Sequence, residues 1–268
     1  MVSSAIFLLA GCEPTKAPLP GGFETAGVDT YCRDWAKLRN GGFVYENNVW
    51  NQGTIKRENR AQCLLKRVMD GKVQNGWRWQ WPRGSGNVKA YPEVIYGHKP
   101  WFTASTTVNL PRRISAINEL SVTYDIEMQA QGRYNLAFDI WVTNSGRPTP
   151  ATITHEIMIW VGERARAWEP SPGYLAKRVA IGSATYDLYI RPHAEWLNEH
   201  GAPQVAYIAF NAHTARASGR IDVKEFLDYL TDNGHLPADG YVASVELGNE
   251  IMSGTGEVWL KSYDIRVD

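Results

Sequence analysis

Hydrophobic and polar residues alternate along much of the chain. From Leu120 to Gln129, residues of the types Leu, Val, Tyr, Ile and Met alternate with Ser, Thr, Asp, Glu and Gln. A period of two indicates a β-strand with one buried face and one wet face. The same pattern predicts strands at 134–143, 152–161, 184–191, 205–210, 241–250 and 257–267. Turn-rich stretches at 144–148 and 169–173 separate these strands.

One segment, residues 222–230, has the period of a helix. Its apolar residues share one helical face: Val223, Phe226, Leu227 and Leu230. Asp222 with Glu225 predicts a capping box at the start of this helix, and Gly234 can end it. Many short strands with one helix, and without βαβ alternation or repeats, predict an all-β protein. We expect a β-jelly roll of two packed, curved antiparallel sheets with one short α-helix.

The amino terminus has a different character. Residues 1–12 form an apolar run that ends in Leu-Ala-Gly-Cys at Cys12, which resembles the signal of bacterial lipoproteins that are lipidated on this cysteine. A buried first strand is the alternative, whereas a membrane span would need about 18 residues or more. Residues 13–28 are then a Pro- and Gly-rich tether, and residues 29–268 a single domain. We expect an exported lipoprotein on the cell envelope, touching the membrane only through the lipid, or otherwise a secreted protein.

Export changes how the two other cysteines are interpreted. An even pair of cysteines in an oxidising compartment favours a disulfide over a metal site. Two cysteines without a clustered histidine also cannot form a closed zinc site. We therefore predict a disulfide between Cys32 and Cys63, and we expect neither a metal nor a cofactor.

Composition narrows the class of partner. The chain has 268 residues and a formal net charge of zero, with 28 basic and 28 acidic residues, so it has no general attraction for nucleic acids or anionic membranes. It contains 11 Trp and 13 Tyr but only 7 Phe. Rings with a polar edge suit wet surfaces such as sugar-stacking sites, and they also suit a large β core. Trp77, Trp79 and Trp81, which alternate along one strand face, are compatible with both.

Three predicted strands place acidic residues on the face opposite the core. In the strand at 152–161, Glu156, Met158 and Trp160 share one face, opposite Ile153, Ile157, Ile159 and Val161. In the preceding strand, Asp139 and Trp141 lie opposite Leu136, Phe138, Ile140 and Val142. In the strand at 241–250, the shared face carries Val242, Ser244, Glu246, Gly248 and Glu250.

Two carboxyl groups flanked by aromatic rings are the usual machinery for cleaving a glycosidic bond. One carboxyl group must be protonated to assist the leaving oxygen, and the other must be ionised. A glutamate on a wet strand face is, however, usually an ordinary solvated residue. Alternation by itself therefore does not identify the catalytic pair.

The motifs as a set resemble glycoside hydrolase family 12, the compact jelly-roll endoglucanases and xyloglucanases. The run Glu156-Ile157-Met158-Ile159-Trp160 is similar to the nucleophile motif of that family. Other landmarks follow in the family's order: Cys32, Asp34-Trp35, Asn47-Asn48-Val49-Trp50, Cys63, residues 86–92, residues 134–139, the helix, and Gly248-Asn249-Glu250. Several independent motifs in one order make this resemblance specific from about residue 30 to the end.

The resemblance implies a role for each motif residue. It makes Glu156 the nucleophile, Glu250 the general acid/base, and Asp139 the aspartate that hydrogen-bonds the nucleophile. The substrate-binding residues that it implies are Asn48, Trp50, Met158, Trp160 and Trp141. The implied protein is a monomeric, retaining, endo-acting hydrolase of β-1,4-glucan polysaccharides, with carboxyl groups ~5 to 5.5 Å apart. A like-charged neighbour and partial burial are expected to raise the pKa of Glu250.

Some residues depart from the family pattern. Ile251 follows Glu250 where many members have proline, and His155 precedes Glu156 where an aromatic residue is expected. We interpret His155 as a core-facing structural histidine. The segment 163–168 is longer and more charged than is typical. A non-catalytic jelly-roll carbohydrate-binding module remains the alternative function, and the choice among cellulose, mixed-linkage glucan and xyloglucan stays open.

Overall fold

The chain folds into two large β-sheets and one helix. The computed structural model describes residues 25–84, 87–162, 175–192 and 205–268. The predicted signal and Cys12, almost all of the tether, and the charged segment after Val161 lie outside these ranges. No helix in the described part of the chain is long and apolar enough to cross a membrane.

Six strands form the smaller sheet. Their spatial order is β1 (Val28–Tyr31), β4 (Ala61–Met69), β5 (Lys72–Trp81), β16 (Ile251–Val267), β8 (Leu120–Tyr134) and β14 (Ser218–Asp222). Ten strands form the larger sheet. The order is β11 (Leu175–Ile181), β12 (Ala184–Arg191), β13 (Ala206–Ala212), β10 (Ile153–Trp160), β9 (Ala137–Thr143), β15 (Tyr241–Gly248), β6 (Glu93–Gly97), β3 (Phe43–Glu46) and β2 (Lys37–Asn40), with β7 (Arg112–Arg113) paired to β15.

Neighbouring strands run antiparallel, except that β10 and β13 are parallel among the described strands. The predicted two-sheet jelly roll is confirmed, as are the strands predicted from alternation. The pattern does not predict the short strands between residues 28 and 113, nor β11 and β14. Three short 3-10 turns lie at Arg57–Asn59, Ile114–Ala116 and Pro150–Thr152.

The main apolar core fills the space between the two sheets. Phe138 and Ile157 of the larger sheet are fully buried in it, together with Trp77 and Trp79 of the smaller sheet. These two tryptophans, and Trp81 at 2% exposure, are therefore core residues and not a sugar platform.

The helix α1 (Val223–Asp232) forms where predicted. All four of its predicted apolar residues are buried in the same core. The predicted capping box is wrong, because the Asp222 side chain makes no capping hydrogen bond. It lies 3.4 Å from Arg220 instead, in an ion pair. Gly234, with a φ of +71°, follows the helix in the left-handed conformation that favours glycine.

Two β-bulges place some residues on the opposite face of the sheet from the predicted one. The register shifts between Val242 and Ser244 and between Ile153 and His155. An extra residue on one strand reverses the alternation beyond it. Val242 therefore lies in the core and not beside Ser244, and Ile153 lies on the face of Met158 rather than in the core.

The predicted disulfide is present. Cys32 and Cys63 are bridged, with their Cα atoms 4.0 Å apart. The bridge ties the segment after β1 to β4. Next to it, buried Arg60 donates hydrogen bonds to both carboxylate oxygens of Asp34, at 3.0 and 2.6 Å. The turn at residues 32–36 is thus held at two points.

Candidate active site

The outward face of the larger sheet, opposite the core, carries the candidate site and is called the acid face below. Strand register places side chains of this face in two neighbouring rows across the sheet. One row contains Glu246 of β15, Asp139 of β9 and Met158 of β10. The next row contains Ser244 of β15, Trp141 of β9, Glu156 of β10 and Tyr207 of β13. The structure thus brings together the predicted residues of β9, β10 and β15. Met158, Trp160 and Trp141 are only 1 to 6% exposed and pack into a second apolar cluster with Tyr91 and Tyr207.

Glu156 is half-buried near the centre of this face. Trp141 lies directly across from it on β9, and Tyr207 lies across from it on β13. The Tyr207 hydroxyl donates to the Met158 sulfur at 3.3 Å. Aromatic and thioether groups therefore fix the walls around the carboxyl group of Glu156.

Asp139 is buried next to Glu156. Burial raises its pKa well above the ordinary value, and the negative charge of Glu156 raises it further, followed by the charges of Glu246 and Glu93. A carboxyl group in such a place binds its proton more tightly than an ordinary aspartate does. When protonated, Asp139 can donate a hydrogen bond to ionised Glu156, which is the role that the sequence resemblance implies.

Glu250 lies just beyond the end of β15, in a clamp formed by Asn135. The Asn135 amide donates to Glu250 Oε2, and the Glu250 backbone N–H donates to Asn135 Oδ1 at 2.9 Å. Burial raises the pKa of Glu250 to about 7, against the opposing effect of the Asn135 hydrogen bond. Burial alone raises it, without the expected contribution from a like-charged neighbour. A pKa near neutrality suits a group that first gives and later takes a proton.

Asn135 is a site residue that sequence reasoning missed. Its backbone C=O accepts from the Asn249 side chain at 2.6 Å, and Asn249 in turn accepts from the Trp77 indole at 2.7 Å. A buried tryptophan of the other sheet is thereby linked to the clamp on Glu250. The only signal for Asn135 is that it lies within the motif at residues 134–139.

Asn48 and Trp50, two of the predicted substrate-binding residues, differ in exposure. Asn48 is buried, and its amide donates to Glu93 Oε1 at 2.9 Å. Trp50 is 52% exposed, so its ring is open for stacking against a sugar. A second exposed ring, not predicted, is Trp101 on the loop after β6. It is 42% exposed and packs edge-on against Trp141, with ring centroids 5.0 Å apart.

His155 lies on the core side, as predicted, opposite Val142 in register. Its Nδ1 atom is 3.0 Å from the Thr154 hydroxyl. Burial lowers the pKa of His155 to about 4, so the ring is neutral at pH 7. Within the described ranges, no three His, Cys, Asp or Glu side chains are placed to hold a metal ion.

Comparison with known proteins gives one consistent result. The sequence model of glycosyl hydrolase family 12 matches residues 41–268. Endoglucanase S of Pectobacterium parmentieri is 27% identical over 233 residues, covering 85% of this chain and 83% of that protein. Xyloglucan-specific endo-β-1,4-glucanase A of Emericella nidulans is 26% identical over 242 residues, covering 88% of this chain and 90% of that protein.

A solved structure agrees with these relatives. The native family 12 xyloglucanase from Bacillus licheniformis superimposes with a TM-score of 0.76 at 26% identity, covering 90% of this chain and 100% of that chain. The similarity therefore covers 83 to 100% of the length of these relatives.

Proposed function

Because this chain belongs to glycosyl hydrolase family 12, we propose that it hydrolyses internal β-1,4-glucosidic bonds of a glucan by a retaining, double-displacement mechanism. One observation carries the proposal. Two carboxyl groups of the larger sheet region have different surroundings: Glu156 adjoins Asp139, whose pKa is raised well above the ordinary value by burial, and Glu250 has a pKa of about 7. Paired carboxyl groups whose environments differ in this way are typical of glycosidases.

Each carboxyl group has its own task in the proposed reaction. Glu156 attacks the anomeric carbon and forms a covalent glycosyl ester, while Glu250 transfers its proton to the departing glycosidic oxygen. Glu250 then removes a proton from water, which attacks the same carbon and releases Glu156. Asp139 contributes a hydrogen bond that keeps Glu156 ionised and oriented before each attack.

The proposed substrate is a β-1,4-glucan backbone, with xyloglucan as the first candidate. The Emericella relative and the Bacillus enzyme are both named for xyloglucan, whereas the Pectobacterium relative is named only as an endoglucanase. Exposed Trp50 and Trp101 offer ring faces for glucosyl units. A neutral chain also suits an uncharged polymer.

The test measures reducing ends released from xyloglucan, barley β-glucan and carboxymethylcellulose. We expect Glu156→Gln and Glu250→Gln each to lose roughly a thousandfold or more in rate. Glu127→Gln is the matched control, because Glu127 lies on the other sheet and pairs with Arg67 at 3.4 Å. Full activity in either active-site variant would refute its assigned role. Binding without hydrolysis by the wild type would instead support a carbohydrate-binding module.

We also propose that the protein is exported and lipidated at Cys12. The disulfide between Cys32 and Cys63 supports an oxidising compartment. In a bacterial host, the wild type is expected in the membrane fraction and Cys12→Ser in the soluble fraction. Equal partitioning of the two forms would rule out the lipid anchor.

A further inference from the structure

A buried cluster of charges lies beside the acid face, and the proposed mechanism does not use it. Lys99, on the loop after β6, lies 2.5 Å from Glu93, 3.2 Å from Glu46 and 3.4 Å from Glu246. The side chains of all four residues are 7% exposed or less. Buried charges of this kind are costly unless they are paired. The cluster therefore has to balance its own charge.

Counting the ions indicates that the cluster holds a proton. Lys37 is the one further cation in contact with it among the described residues, at 3.1 Å from Glu46, so two lysines face three carboxyl groups. Glu93 Oε2 and Glu246 Oε2 are buried and accept no hydrogen bond from the described residues. The carboxyl groups of Glu93 and Glu246 nevertheless contact each other. Glu246 Oε2 lies 3.4 Å from Lys99 Nζ. A proton shared by the two carboxyl groups would link them and make the cluster neutral.

The remaining contacts of the cluster agree with this distribution of protons. Each carboxylate oxygen of Glu46 contacts a lysine, Oε1 contacting Lys37 and Oε2 contacting Lys99, so the shared proton is placed on the other two carboxyl groups. Burial raises the pKa of Glu93 well above the ordinary value, Lys99 opposes this effect, and Glu246 adds to it. A carboxyl group that is surrounded in this way keeps a proton at neutral pH.

The cluster also lies next to Asp139 of the candidate site. Glu246 lies directly across from Asp139 in the register of β15 and β9. The negative charges of Glu156, Glu246 and Glu93 all raise the pKa of Asp139, and Lys99 is the cation that lowers it. The charge of Lys99 therefore acts on the same carboxyl group as the charge of Glu156.

We propose that the cluster holds a single proton, shared between Glu93 and Glu246, and that Lys99 is a positioning residue whose charge keeps Glu156 ionised by way of Glu246 and Asp139. The inference rests on the proposed function, because it assigns Glu156 as the nucleophile. Without Lys99, an uncompensated negative charge would remain next to Asp139. Protons would then bind more tightly to Asp139 and Glu156, and less of the nucleophile would be ionised at a given pH.

Other titratable groups face this region, and none of them is substituted in the test. Tyr91 lies among Asp139, Glu93, Glu246 and Glu250, and burial raises its pKa well above the ordinary value, so it stays neutral. Tyr207 and Arg191 follow Glu156 in register on β13 and β12. Tyr263, beside Tyr45 and Glu246, is likewise kept neutral by burial, which raises its pKa.

The test compares the pH dependence of kcat/KM among charge variants. An aryl β-cellotrioside with a good leaving group is the probe, because its cleavage depends little on the acid and the rising limb reports the nucleophile. In Lys99→Met, we expect the pKa of this limb to rise by about 1. In Glu93→Gln, the amide replaces the shared proton, so the limb should stay within about 0.3 of the wild type. Lys261→Met is the matched control and should also leave the limb in place, because it removes a half-exposed lysine that pairs with Asp125 on the other sheet.

A second readout does not depend on activity. The infrared difference spectrum between the wild type and Glu93→Gln at pH 7 should contain one C=O band of a protonated buried carboxylic acid that the variant has lost, while the bands of Asp139 and Glu250 cancel. Glu257→Gln is the control and should lose no such band, because Glu257 pairs with Arg78 on the other sheet. This readout still decides the proton assignment if Lys99→Met fails to fold.

The outcomes separate the two hypotheses. A wild type that cleaves neither the aryl glycoside nor a glucan refutes the proposed function, while the infrared band still tests the shared proton. An active enzyme whose rising limb does not move in folded Lys99→Met overturns the role of Lys99. A difference spectrum in which Glu93→Gln has lost no protonated-carboxyl band overturns the shared proton.

Discussion

The two faces of β9 are equally buried but carry different chemistry. All seven residues of this strand are buried. Phe138 and Ile140 point into the apolar core, whereas Asp139 and Trp141 point to the acid face. A buried carboxyl group without full hydrogen bonding is unfavourable, and Asp139 Oδ1 has no partner among the described residues. One face therefore stabilises the sheet, and the other accepts a stability cost that an active site requires.

The first prediction tests the stabilising face. Phe138 is fully buried, and its ring lies 5.4 Å from that of Tyr124. Phe138→Ala should lower the free energy of unfolding by about 3–5 kcal/mol, because it removes a large side chain and leaves a cavity. Urea denaturation followed by tryptophan fluorescence measures the change. A loss below about 1 kcal/mol would mean that this face is not the principal stabilising one.

The second prediction concerns the neighbouring residue on the other face. Asp139→Ala should lower kcat/KM about 100-fold, since a hydrogen bond to a charged group contributes about 1.5–3 kcal/mol. Asp139→Asn keeps an N–H donor for Glu156 and should lose about tenfold or less. Neither variant should destabilise the fold as Phe138→Ala does. Equal kinetic losses in the Ala and Asn variants would contradict the hydrogen-bonding role.

The third prediction measures the stability cost of the acid face. Below about pH 4.5, Glu250 is protonated in both the folded and the unfolded chain. As the pH rises towards 7, the unfolded chain loses this proton while the folded protein keeps it, so stability falls. Glu250→Gln removes this dependence and should be more stable than the wild type by about 1–3 kcal/mol at pH 8. The two proteins should be nearly equally stable at pH 4, and thermal unfolding at both pH values checks this.

How far the sequence predicts these features depends on the range of the interaction. Alternation is a local property, so it gives the strand faces correctly until a bulge inserts a residue, as at Val242 and Ile153. Family motifs single out Glu156 and Glu250, and the structure places Glu156 on β10 and Glu250 just beyond the end of β15. Asn135 and Lys99 carry no local pattern, because Glu250 is distant from Asn135 in the chain, and so are Glu46 and Glu246 from Lys99. Asn135 and Glu250 are 115 residues apart, and only the folded sheet register brings them together.

The smallest expected effect concerns the Asn135 clamp, where the acid face is held by hydrogen bonds rather than by apolar packing. The Asn135 hydrogen bond lowers the pKa of Glu250 against the effect of burial. Asn135→Ala removes this opposition, so the pKa of Glu250 should rise by about 1.

In the proposed mechanism Glu250 must be protonated for the first step, so kcat/KM is expected to fall above its pKa. The falling limb of the glucan pH profile should therefore move to higher pH in Asn135→Ala. Asn40→Ala is the matched control, because it removes a comparable amide, bonded to Asn75 at 3.0 Å, far from the acids. A falling limb that stays in place, or that moves to lower pH, would show that Asn135 orients Glu250 without tuning its proton affinity.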